Sequence, residues 1–209
     1  MECNELHETQ DITSEDTFED TEALWLDEQE LTQGELAAQY LRGLEGNHEK
    51  LANYVERHYD NSMGAFSPDL PIPITTRNMD LDGQSHPSSG VEFSRQEVDM
   101  GDGVSITGVF PEFDSRFDIE LGDDAKDMTL HEQFSACRDA FLDHMYDDPE
   151  ILEGLTLEDM DHLDEGYFPN GCTAQHNPRV GFFSIVDSDL HRRTGHTGGN
   201  ALWTPKVHK

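Results

Sequence analysis

Three histidines, His176, His191 and His196, fall within the stretch GCTAQHNPRVGFFSIVDSDLHRRTGHTGGNALW from Gly171 to Trp203. Hydrolysing a phosphodiester requires an activated water and positive charge near the departing oxygen, and one imidazole base beside one divalent metal supplies both. Neutral imidazole binds metals, and its ordinary pKa near ~6.5 suits proton transfer at neutral pH. Three histidines at such spacings also occur as surface or helix-capping residues, so the elements that carry them decide the reading.

Those elements are legible around each ring. His176 follows a short strand-like run, and FFSIVD at 182 to 187 alternates as a second strand. Asp187 or Ser188 then caps a helix carrying Leu190 and His191. Gly195 is expected to stop that helix, which frees His196 from helical spacing and lets it turn back toward His191. Gly198 and Gly199 allow close backbone approach.

The wording of this stretch resembles the HNH/endonuclease VII nuclease domains at the C-termini of bacterial polymorphic and contact-dependent toxins. The similar blocks are GCTAQHN at 171 to 177, FFSIVD, His191, GHTGG at 195 to 199 and Trp203. Upstream, Arg77 and Asn78, HPSSGVEF from His86 to Phe93, and GVFPEFDSRFDIEL from Gly108 to Leu121 extend it, so the resemblance spans roughly 77 to 203. It implies an α+β fold with a ββα-metal core, and a metal-dependent endonuclease acting on DNA, with RNA left open. It further implies one divalent metal (Mg, Mn, Ni or Zn), a toxin-effector role, and a cognate immunity protein or secretion partner.

Carried over residue by residue, the resemblance makes His176 the general base and makes His191 and His196 metal ligands. Where the family pattern has Trp-His-His, this chain has Ala174, Gln175 and His176. Gln175 therefore stands at a ligand position, where its carbonyl oxygen suits a hard cation better than the softer metals that favour imidazole. Ala174 leaves room where the family has a bulky ring, and Phe182 or Phe183 is expected to fill it. Cys172 reads as a small apolar contact.

Charge sets a counterweight. The chain of 209 residues carries 45 acidic and 13 basic residues, for a formal net charge of -32. A nucleic-acid surface is ordinarily basic. From Cys172 onward the balance reverses: five of the basic residues (Arg179, Arg192, Arg193, Lys206, Lys209) stand there with only Asp187 and Asp189. Arg192, Arg193 and Arg179 are the candidate phosphate contacts; their other reading, for the pair after His191, is cations set against a helix C-terminus. The acidity itself fits adaptation to high salt, which screens repulsion. It equally fits a surface that mimics nucleic acid. The competing function is thus a non-catalytic copy of the domain that binds or inhibits a partner.

Three segments follow from composition and period. Residues 1–60 form an acidic, partly helical N-terminal extension, with 13 acidic residues and no Lys or Arg before residue 42. Helices are expected from about Thr32 to Leu44 and from about His48 to His58. A Pro-containing linker occupies 61–76, with Gly64, Pro68, Pro71 and Pro73. The nuclease-like domain is 77–209: residues 91 to 121 read as a hairpin, Thr129 with Glu132 opens a helix to about Tyr146, and Thr156 with Asp159 opens another to about Asp164. Cys3, Cys137 and Cys172 make an odd count that points to a reducing compartment. No run approaches the ~20 apolar residues of a membrane span and the charged start is no Sec signal. The expected location is cytoplasmic, or outside the cell by a specialised secretion system.

Overall fold

The computed structural model describes residues 30–148 and 153–205. The acidic run up to residue 29, and Lys206 and Lys209, lie outside the described residues. Helix α1 (Gln33–Gly43) starts where the sequence places it: Thr32 accepts from the Glu35 backbone and the Glu35 carboxylate returns to Thr32, a capping box. With α2 (Glu49–His58) it buries Ala37, Ala38, Leu41, Leu51, Ala52 and Val55.

Two sheets follow. The first has the order β1 (Ile72–Pro73), β4 (Ser105–Glu112), β3 (Glu92–Asp99), β2 (Gln84–Ser85). Strands β3 and β4 form an antiparallel hairpin in register from Glu92↔Glu112 to Asp99↔Ser105, and β1 joins β4 in parallel. Its turn runs through Gly101, Asp102 and Gly103, all with positive φ. The second sheet has the order β5 (Phe117–Glu120), β7 (Phe182–Asp187), β6 (Cys172–His176), all antiparallel. The expected single hairpin over 91 to 121 is therefore divided: Phe117 to Glu120 leave the first sheet and pair with Phe182 to Ile185. Ile119 goes with them, and its place beside Phe183 buries it to 3%.

Helix α3 (Leu130–Asp147) opens on the Thr129–Glu132 capping box, and α4 (Leu157–Asp164) on the Thr156–Asp159 box. Helix α5 (Ser188–Arg193) follows β7 at once, with the Asp187 carboxylate accepting from the Leu190 amide at 2.8 Å. A last turn, α6, spans Gly199–Leu202.

One apolar cluster joins these parts. Leu41 and Val55 from the N-terminal helices, Ile106 and Phe110 from the first sheet, Phe183 and Ile185 from the second, and Cys137, Phe141 and Trp203 all belong to it. Residues assigned from sequence to an extension and a linker thus share the core: Tyr59 bridges Ile74, and Ile72 pairs with Ile106. A polar tie reinforces this. Lys126 Nζ lies 2.6 Å from Asp102 Oδ2, buried His48 Nε2 approaches the same oxygen at 3.2 Å, and Asn47 donates to Asp127. Burial above all, then Lys126, holds the His48 pKa below its ordinary value.

Candidate active site

Strand β6 positions the first histidine. Along a strand, side chains alternate between faces, and Ala174 and His176 share the face opposite Ile185 and Phe183 on β7. His176 is 7% exposed and packs among aromatic rings: Phe183 at 4.7 Å, Phe134 at 5.3 Å and Trp203 at 5.5 Å between centroids. Ala174, paired with Ile185, lines the cavity beside His176, while Phe183 and Trp203 meet edge-on 5.6 Å apart. Phe182 points to the other face, where Arg179 lies 3.7 Å over its ring.

Helix α3 supplies a residue that sequence reasoning missed. Gln133, fully buried one turn after the Thr129 cap, has its amide nitrogen 2.7 Å from the Ala125 carbonyl and 3.3 Å from the Met128 carbonyl. Two obligate acceptors fix the amide's orientation, so its oxygen faces His176 Nε2 at 2.9 Å. His176 Nε2–H must donate there. The Nδ1 lone pair is left as the acceptor.

The other two histidines come from α5 and the loop after it. His191 and His196 have ring centroids 5.1 Å apart, and Phe113 packs on both at 5.6 and 5.3 Å. His196 Nδ1 lies 2.7 Å from the Thr194 carbonyl and donates to it, leaving Nε2 with its lone pair. Helix α5 ends earlier than expected, at Arg193, with the Thr194 amide bonding the Leu190 carbonyl. Gly195 does not adopt the left-handed conformation of a stop; the Arg77 guanidinium lies against it, 2.4 Å from where a Cβ would stand, so a larger residue would push that guanidinium aside.

His176, His191 and His196 line one cavity of about 340 Å³, together with Phe134, Thr173 and Asn200. Burial first, then neighbouring His191, pulls the His176 pKa down to about 4. Burial first, then His196, does the same for His191, also to about 4. His196 is lowered by burial, with Arg77 adding to it and the Thr194 carbonyl opposing. All three rings are neutral at pH 7, which leaves each a lone pair for a proton or a cation.

The remaining candidates are placed differently. Gln175 is buried but turns to the opposite face of β6 from His176, the face of Ser184 and Val186, and does not line the cavity. Arg179, Arg192 and Arg193 are exposed and outside it; Arg192 pairs with Asp189 at 2.7 Å. The cation whose charge acts on His196 is instead Arg77, which also lies outside the cavity lining and makes no ion pair with a carboxylate among the described residues. It is held by its own amide bonding Thr197 Oγ1 at 3.0 Å and by the Asn78 side chain donating to the Gly195 carbonyl. Its only sequence signal was membership in the leading segment of the resemblance.

The His191 and His196 rings are neighbours, edge-on to each other. The Thr194 carbonyl on His196 is the kind of outer partner that orients a ligating imidazole. Among the described residues, no group of three His, Cys, Asp or Glu side chains is placed to hold a metal ion. A third donor would be water or a neutral oxygen.

Residues 102–198 match the family model described as the DNase/tRNase domain of colicin-like bacteriocin. The match supports a bacteriocin-type nuclease domain over these residues, which include all three histidines and Gln133. Arg77, helices α1 and α2 and Trp203 lie outside it. Comparison with curated proteins and with solved structures gives no match.

Proposed function

We propose that the chain is a toxin-type endonuclease of the HNH kind, hydrolysing DNA phosphodiester bonds with one divalent metal at the His176–His191–His196 cavity. The observation that carries this reading is the convergence of three neutral imidazoles on one cavity, inside a stretch that matches a nuclease family. The order β6, β7, α5 fits the ββα core that such nucleases use.

His176 acts as general base through Nδ1, taking the proton of the attacking water while Nε2–H stays on Gln133. As the ring becomes cationic, that hydrogen bond to the amide oxygen strengthens. A base with a pKa of about 4 is weak in the free protein. An incoming phosphodiester anion raises its proton affinity, so the base gains strength when substrate is bound. His191 and His196 would hold the metal, with water completing its shell, since the Gln175 side chain turns to the other face of β6. A divalent cation there supplies positive charge for the phosphoryl and departing oxygens. Arg77, beside His196, steadies the phosphate, while Arg192, Arg193 and Arg179 serve only parts of a longer strand outside the cavity.

The second reading is a non-catalytic binding or inhibitory module, and the observations that favour it are the absence of a three-ligand group among the described residues and the acidity of the chain. Plasmid nicking by the full chain across Mg²⁺, Mn²⁺, Ni²⁺ and Zn²⁺ separates the two. The nuclease reading expects metal-dependent nicking that His176→Ala abolishes while circular dichroism stays native. Nicking that persists in His176→Ala would remove the base assignment. No nicking by the wild type with any of these metals would favour the binding module.

A further inference from the structure

The histidine cavity does not end at Phe134 and Thr173. Both residues also line an adjoining groove of about 590 Å³, whose other wall carries His162, Tyr167 and Phe168. That size lies within the range of sites that take small planar ligands, roughly 300–1,000 Å³.

We propose that this groove is a nucleobase subsite, so that the strand cleaved at the histidines is read as an unpaired strand. The inference deepens the nuclease reading and rests on it.

Tyr167 is the main reason. The residue is 64% exposed, its hydroxyl makes no hydrogen bond among the described residues, and the ring partner it has, His162, is 6.4 Å away. Nothing in the core requires an aromatic there. The backbone beneath it is nevertheless held: its amide bonds the His162 carbonyl at 2.9 Å, and the Asn170 amide bonds the Asp159 carboxylate at 2.7 Å. An exposed ring on a fixed backbone is a stacking platform.

Charge separates base from phosphate along the same line. The groove wall includes exposed Glu165, and α4, the helix that supplies His162 to it, also carries Glu158, Asp161 and Asp164. Such a wall repels phosphate, yet a base is uncharged and offers a π face. The phosphate belongs in the neutral cavity near Arg77, and its neighbouring base in the aromatic groove. In a duplex that base is paired and stacked, and extracting it costs a few kcal/mol; an unpaired strand does not bear that cost.

The test uses the full chain with one oligonucleotide, single-stranded and as a duplex, carrying 2-aminopurine as a fluorescent base. The proposal expects a lower KM for the single strand, quenching of 2-aminopurine on binding, and an increase in KM of about 5- to 150-fold in Tyr167→Ala. Tyr167→Phe, which keeps the ring, should restore quenching. Equal KM for both forms with no effect of Tyr167→Ala, while His176→Ala abolishes cleavage, overturns the subsite and leaves the nuclease standing. If the wild type cleaves neither form, quenching that Tyr167→Ala removes still supports the groove while the nuclease reading fails. Absence of quenching overturns the groove.

Discussion

The tautomer of His176 is imposed from outside its own strand. Gln133 sets it by way of two backbone carbonyls, and burial among Phe134, Phe183 and Trp203 makes the charged ring costly. This has a consequence for stability. The folded pKa of about 4 lies below the ordinary value of 6.5, so between these the unfolded chain binds more protons. Stability from this residue is complete above about pH 6.5 and falls as pH drops toward 4, by on the order of 3 kcal/mol. His191, lowered to the same value, adds in the same direction. Urea midpoints of metal-free protein measured from pH 7 to 4 should decline steeply for the wild type and less for His176→Phe. Equal slopes would mean that His176 titrates normally.

At the level of elements, the site depends on α6 and the loop before it closing against β6. Gly199 sits where a Cβ would lie 2.3 Å from the Asn177 carbonyl and 2.4 Å from Trp203 Nε1, the two atoms of a hydrogen bond at 3.1 Å. Gly199→Ala should therefore cost about 1–3 kcal/mol by overpacking and shift Trp203 off His176. Gly43, in the last turn of α1, meets nothing within 4 Å, and Gly43→Ala should instead gain roughly 0.4–1 kcal/mol through the unfolded chain. Urea denaturation followed by tryptophan fluorescence compares the pair; similar midpoints for both variants would contradict the close packing at α6.

For the molecule as a whole, a net charge of -32 opposes a polyanionic substrate at a distance, even though the cavity's histidines are neutral and the charge of Arg77 reaches His196. Most nucleic-acid binding weakens with salt because cations on the protein release counterions. Here the leading long-range effect is repulsion, and added salt screens it, the Debye length falling from ≈ 10 Å at 0.1 M to ≈ 3 Å at 1 M. The kcat/KM for cleavage should consequently rise with NaCl from about 0.05 M to 0.5 M. A monotonic fall over that interval would show that the local basic residues outweigh the acidic remainder.

Local order was legible in the sequence because its causes are local. The capping boxes at Thr32, Thr129 and Thr156 involve residues three apart, and the alternation of Phe182 to Asp187 is a property of the strand itself. The grouping of His176, His191 and His196 was also readable, since β6, β7 and α5 are consecutive and their connections short. What depended on distant segments was not readable. Arg77 meets Thr197 across 120 residues, Gln133 meets His176 across 43, and β5 chose β7 over the hairpin that precedes it. Periodicity carries no record of which distant face a buried side chain will contact; that is settled only when the whole core packs. The same packing placed α1 and α2 within the domain and turned Gln175 away from the ring next to it.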